Sequence, residues 1–294
     1  ITLGTGADTF TTDDDGFATT DKFAVNAGDG DDTLAVAAAL DIDTADEAGR
    51  YTNFDVIQAA TNSNINMALF GASTTIDAAS LGDAGLTNMQ AALAGAITVT
   101  ANNAGSTFSL ATATGTSDAL KVTSANATAT TSADLTTVTV TGFETLEFAA
   151  NSGDANLGTA AAVATTDRTA ITFAAAGDLT TVTLTGTKSV DIDLANAVKV
   201  TTLDASGVAG GAVLTLAANT GALTVTGSAL RDQVELATLG AGGSATINAG
   251  GGGDFITGTI AQATAVAING EAGTDTLSVS DTNAADATLT VNDA

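Results

Sequence analysis

Along much of the chain, one aliphatic or β-branched residue alternates with one polar residue. Ile97-Thr-Val-Thr100, Val138-Thr-Val-Thr141, Val182-Thr-Leu-Thr185 and Val190-Asp-Ile-Asp-Leu194 are such runs. Leu223-Thr-Val-Thr226, Val266-Ala-Ile-Asn269, Leu277-Ser-Val-Ser280 and Leu289-Thr-Val-Asn292 continue the series. A period of two puts alternate side chains on opposite faces of an extended segment, so these runs predict strands with one buried face. From Val182 onward the strand centres fall near 183, 192, 203, 214, 225, 235, 247, 256, 267, 278 and 290. That step of about 11 also fits a sandwich or barrel. Tight hairpin turns are scarce, however, and similar turns recur at twice the strand step. The pattern therefore predicts an all-β solenoid, parallel β-helix or β-roll-like, with two strands per coil of about 22 residues.

Two features interrupt or overlay this rhythm. Leu86, Met89, Gln90 and Leu93 stand at i, i+3, i+4 and i+7, with Asp83 placed to cap and Gly95 to stop, which predicts a short helix over 83–95. A longer echo pairs Asp32-Thr-Leu-Ala-Val36 and Phe54-Asp55 with Asp118-Ala-Leu-Lys-Val122 and Phe143-Glu144. It suggests two copies of one unit, 1–112 and 113–294, with Phe54 and Phe143 as core plugs.

Composition narrows the picture. Of 294 residues 45% are hydrophobic, enough to fold, but only 4% are aromatic and Pro is absent. A core of Ala, Thr, Val, Leu and Gly suits thin stacked layers better than a wide globule. The formal charge is −26, from 33 acids against 7 bases. Nucleic acid and anionic membrane need a positive surface and are excluded as partners. A halophilic surface is one account of the acids, and bound cations are the other. With Cys and His both zero there is no disulfide, thiolate nucleophile, Ser-His pair or imidazole zinc site. No signal peptide, lipidation motif or bilayer-length apolar run is apparent, and a start at Ile1 is expected of a processed or partial chain.

The positions of the acids favour cations. Four turns approximate Gly-x-Gly-x-Asp-x-hydrophobic: Gly4, Gly6 and Asp8; Gly28, Asp29, Gly30, Asp31 and Asp32; Gly250, Gly252 and Asp254; Gly270, Gly273 and Asp275. Weaker forms end at Asp118 and Asp232. Calcium takes six to eight oxygens at about 2.3–2.6 Å. Glycines let consecutive carbonyls turn toward one point, the Asp adds charge, and the hydrophobic residue two places on begins the next strand. One turn supplies half a shell, so two stacked turns must share an ion. Asp8 to Asp32 is 24 residues, Asp232 to Asp254 is 22 and Asp254 to Asp275 is 21, each about one coil. Asp13-Asp-Asp-Gly16 and the acids of 41–47 lack the glycine and terminal Glu of an EF-hand loop and read as solvated loop. Asp191 and Asp193 read as the wet face of a strand.

These turns resemble the glycine- and aspartate-rich nonapeptide repeats of RTX proteins. With the Thr/Ala-rich strands, Thr114-Gly-Thr-Ser-Asp118 and Gly142-Phe-Glu-Thr-Leu146, the chain resembles RTX-type surface-layer proteins of Gram-negative bacteria. The repeats cover the two ends and 115–120, are not tandem, and lack several glycines; Leu230 and Arg231 stand before Asp232. The resemblance implies several calcium ions, type I secretion, an extracellular location, no enzymatic activity, and self-assembly into a lattice or filament held to cell-surface polysaccharide by other segments. Two further classes stay open. An adhesin or ice-binding module would need Thr139/Thr141, Thr183/Thr185 and Thr224/Thr226 on one flat face. A calcium-assisted polysaccharide lyase or epimerase would need acids beside a Lys or Arg in a groove, and the bases are scattered.

Overall fold

The structure, a computed structural model, describes residues 1–12, 23–37, 42–59, 63–70, 76–128, 130–154, 157, 167–216, 221–236, 243–260, 265–281 and 288–292. It is a parallel β-solenoid. The predicted runs are strands, among them Leu135–Thr141, Thr181–Gly186, Val190–Asp193, Ala222–Thr226, Ala265–Asn269 and Thr276–Asp281. Among the described residues they form a thirteen-stranded and an eleven-stranded sheet, with a three-stranded sheet at the first coils and a two-stranded one between the last glycine-rich turns. Every pairing in them is parallel. The first coils alternate between the three-stranded and the thirteen-stranded sheet, and from Ser63 onward the chain alternates between the two large sheets.

The ladder shows the period directly. In the thirteen-stranded sheet Leu203, Val225, Ile247, Ile268 and Val291 are successive partners, about one 22-residue coil apart. Ile171, Ile192, Leu214, Val234, Ile256 and Leu277 run likewise along the eleven-stranded sheet. The coil is shorter where Ala79 partners Ile97, and longer where Phe148 partners Leu184. Pairing continues across 112–113, with Ile97 on Val122 and Phe108 on Val140.

Inward positions of both sheets make one apolar cluster, from Val25 to Ile268. Removing each Val, Leu, Ile, Phe or Met of the cluster from water contributes about 1.5–3 kcal/mol, which is what holds the thin stack closed. Phe54 and Phe143 are fully buried, as expected of plugs. They share a corner with Ile76, Leu179 and Val200, also buried, each two residues ahead of a strand of the thirteen-stranded sheet.

The expected helix over 83–95 is largely a strand. Ala84–Met89 pairs with Ser63–Asn66 and Thr107–Leu110, and only Ala91–Ala94 is helical. Leu86 and Met89 face inward from both the helical and the extended reading, and continuity with the neighbouring coils decides for extension. Gly95 does end the helix, but Asp83 does not cap it; its carboxylate accepts the Ala104 N–H at 2.7 Å. A second short helix, Ala45–Ala48, starts in a capping box of Thr44 and Glu47, a Thr-x-x-Glu signal that the alternation overlooks.

Candidate metal-binding turns

The glycine-aspartate turns stack in register, as two sets on the two edges of the coil. The first set, Asp8 and Asp32, precedes strands Thr9–Thr11 and Thr33–Val36 of the thirteen-stranded sheet. The second, Asp232, Asp254 and Asp275, precedes Gln233–Leu236, Phe255–Ile260 and Thr276–Asp281 of the eleven-stranded sheet. Asp118 precedes Ala119–Ser124 and so shares the first edge.

One hydrogen-bond pattern joins both sets. The Asp8 N–H donates to Oδ1 of Asp32 at 2.8 Å, and the Asp32 N–H to Oδ2 of Asp55 at 2.9 Å. On the other edge the Asp232 N–H donates to Oδ1 of Asp254 at 2.7 Å, and the Asp254 N–H to Oδ1 of Asp275 at 2.9 Å. Midway, the Asp118 N–H donates to Oε2 of Glu144 at 2.9 Å. Each acid thus caps the amide of the acid one coil before it. The carbonyl of that earlier acid accepts in return: Asp32 O from Asp55 and Val56, Asp118 O from Glu144 and Thr145, Asp254 O from Thr276. Asp55 and Glu144 are therefore members of the ladder that the glycine motif does not reveal. The Phe-acid echo was the signal for both.

The glycines are needed where turn lies on turn. Gly4 pairs with Gly28, and a Cβ on Gly28, at φ +105°, would collide with the Gly4 carbonyl. Gly252 and Gly273 repeat this at the other edge. Glu271 takes the place of a glycine and has a left-handed φ of +62°. Asp29, Gly30 and Asp31 are exposed, at the outer rim of their turn.

The inner carboxylates are in a different state. Asp32 is fully buried and Asp254 is 1% exposed. Each binds an amide through one oxygen, while its Oδ2 is buried with no hydrogen-bond partner among the described residues. Burial pushes Asp254 up to about 7; the Asp232 amide and Arg231 oppose this, and the charges of Asp232 and Asp275 add to it. Burial likewise pushes Asp232 up to about 6. With one oxygen buried and unpartnered, Asp254 needs either a proton or a cation near neutral pH. The turns fit a hard cation by their chemistry: each set holds a free carboxylate oxygen, in turns whose glycine carbonyls stack closely on the next coil. Among the described residues no three acidic side chains converge, so backbone carbonyls would have to provide most of a shell.

The remaining candidates differ. Both oxygens of Asp232 are engaged, by the Ala212 and Ser228 amides at 2.5 and 2.6 Å and the Ser228 hydroxyl at 2.9 Å. Asp118 folds back over its own turn and accepts the Gly115 N–H at 3.3 Å. The Asp275 carboxylate occupies the space that a Cβ on Gly270 would need. Asp191 is not simply a wet strand residue, because Arg168 pairs with it at 2.9 Å. Asp13, Asp14, Asp15 and Asp41 lie outside the described residues. Thr139 and Thr141 belong to the eleven-stranded sheet and Thr183, Thr185, Thr224 and Thr226 to the other, so the six do not share a face. No protein-family model, curated protein or solved structure matches this chain.

Proposed function

We propose that the chain is a calcium-stabilised structural solenoid, acting as an assembly module of an extracellular surface layer or filament and not as an enzyme. The observation that carries this reading is the pair of buried, half-free carboxylates, Asp32 and Asp254, each set in a stack of glycine turns. On a chain of charge −26, divalent ions would neutralise both the buried sites and the surfaces that meet between copies. A free carboxylate beside carbonyls suits calcium better than a transition metal, which would seek the nitrogen or sulfur ligands that this chain lacks. Light scattering and negative-stain microscopy in millimolar calcium and in chelator test the assembly. Sheets or filaments that form only with calcium are expected. A calcium-loaded, folded protein that stays monomeric at high concentration would contradict it.

One observation favours a surface-binding module as the second reading. Thr145, Thr181, Thr202, Thr224 and Thr246 are successive ladder partners on the outward side of the thirteen-stranded sheet. Such a file offers regularly spaced hydroxyls and methyls to an ordered surface. Adsorption to ice or to crystalline polysaccharide, lost in Thr202→Lys and Thr224→Lys, would select that reading.

A further inference from the structure

Of the three stacked turns on the second edge, only the first carries a base. Arg231 stands directly before Asp232, where Gly253 and Thr274 stand before Asp254 and Asp275. Its Nη1 and Nη2 are both buried, with no hydrogen-bond partner among the described residues. The backbones of the first two turns are in contact there, since a Cβ on Gly252 would come within 2.5 Å of the Arg231 nitrogen. Asp232 has both oxygens engaged by Ala212 and Ser228, whereas the Oδ2 of Asp254 has no partner. Arg231 is also the one base whose charge acts on Asp254, against the like charges of Asp232 and Asp275.

A guanidinium buried in a stack of acids does what a metal does there: it places positive charge where carboxylates have lost water. It differs in being permanent. We infer that Arg231 is the resident cation of the second turn stack, supplying between turns 227–232 and 249–254 the positive charge that calcium supplies between 249–254 and 269–275. The inference rests on the calcium reading above. It makes Asp232 a structural cap instead of a ligand, and it assigns calcium on this edge to the Asp254 and Asp275 layer. The arrangement also gives the stack a direction. The layer next to Arg231 is held without metal, and layers further along depend on it.

Replacing the charge tests this. The full-length protein is compared with Arg231→Gln, which keeps much of the side chain without charge, and Arg231→Lys, which keeps the charge. Melting is followed by circular dichroism in chelator and in millimolar calcium, and bound calcium is counted by equilibrium dialysis. In chelator, R231Q is expected to melt several degrees below wild type, with R231K close to wild type. In calcium, R231Q is expected to recover most of that loss and to bind one more ion per chain. Equal losses in R231Q and R231K, or an R231Q loss that calcium leaves unchanged, would overturn the inference. A wild type indifferent to calcium would refute the calcium reading instead. Arg231 is then judged on the chelator arm alone, where a loss in R231Q spared in R231K supports a resident cation and equal behaviour overturns it.

Discussion

The backbone N–H of Asp232 donates to Oδ1 of Asp254 at 2.7 Å, across one coil of the solenoid. This bond fixes the carboxylate of the later turn on the amide of the earlier one. It also divides the two oxygens of Asp254, since one is bound and the other is buried without a partner. The same division occurs at Asp32, on the other edge. A side chain held in this way is preorganised: the ladder bond orients it, and the free oxygen remains for a cation or a proton.

The two roles of Asp254 separate in Asp254→Asn. The amide oxygen still accepts from Asp232, but the buried charge is gone. In chelator the variant should melt a few degrees above wild type, where about 1 kcal/mol corresponds to about 2–4 °C for a domain approaching this size. In calcium the order should reverse, because the metal loses a charged ligand. Thermal melts in both conditions check this. A variant that is less stable in both would show that Asp254 is needed ionised even without metal.

The pH dependence has a defined sign. Asp254 titrates at about 7 and Asp232 at about 6 in the folded chain, both raised by burial. The unfolded value is about 3.9. Between these values the folded state binds more protons than the unfolded state. The stability these groups contribute is therefore complete below about pH 4 and is lost as pH rises through 6 and 7. Metal-free protein should melt higher at pH 5 than at pH 8, and part of that difference should vanish in Asp254→Asn. Calorimetry at the two pH values measures it. A melting temperature that rises toward pH 8 without metal would be incompatible with these buried acids.

Asp254 and Asp275 should behave as a coupled pair. The Asp254 amide donates to the Asp275 carboxylate, and both turns are assigned to one metal layer. In calcium, Asp254→Ala and Asp275→Ala together should cost less than the sum of the single losses, by about 0.5–3 kcal/mol. Strictly additive losses in a double-mutant cycle would argue that the two turns act independently.

Phe143 offers a test of the core that does not involve metal. It is fully buried at the corner ahead of strand Thr145–Ala150. Phe143→Ala should cost about 3–5 kcal/mol, with calcium present or absent. Chemical denaturation measures the loss; a change under about 1 kcal/mol would mean that the corner collapses to fill the space.

The repeating part of this fold was legible because each coil is specified locally. The strand runs between Val182 and Asn292 alternate with period two, and neighbouring coils ask for the same thing at the same place. The segment 83–95 was not legible in that way. Leu86, Met89 and Leu93 satisfy both periods, and the strand wins through pairing with coils that lie 21 or 22 residues away. The turns showed which residues could serve a cation, since glycine and aspartate at fixed offsets leave a local trace. The partnership of Asp32 with Asp55, and of Asp118 with Glu144, left only a weaker one. An acid capping an amide one coil away needs no glycine, and the Phe before it was the visible mark. That Asp232 has both oxygens filled by Ala212 and Ser228 had no such mark, because those contacts depend on the exact path of the turn.

Stacked glycine-aspartate turns that share calcium, as proposed above, would make the solenoid dependent on that ion. Circular dichroism melting of the full-length protein in millimolar calcium, in the same concentration of magnesium, and in chelator tests it most directly. A β spectrum with a clearly higher melting temperature in calcium than in chelator is expected. Magnesium should give little of that gain, because its strict octahedral shell suits carbonyl-rich turns poorly. Identical spectra and melting temperatures in all three conditions would contradict it.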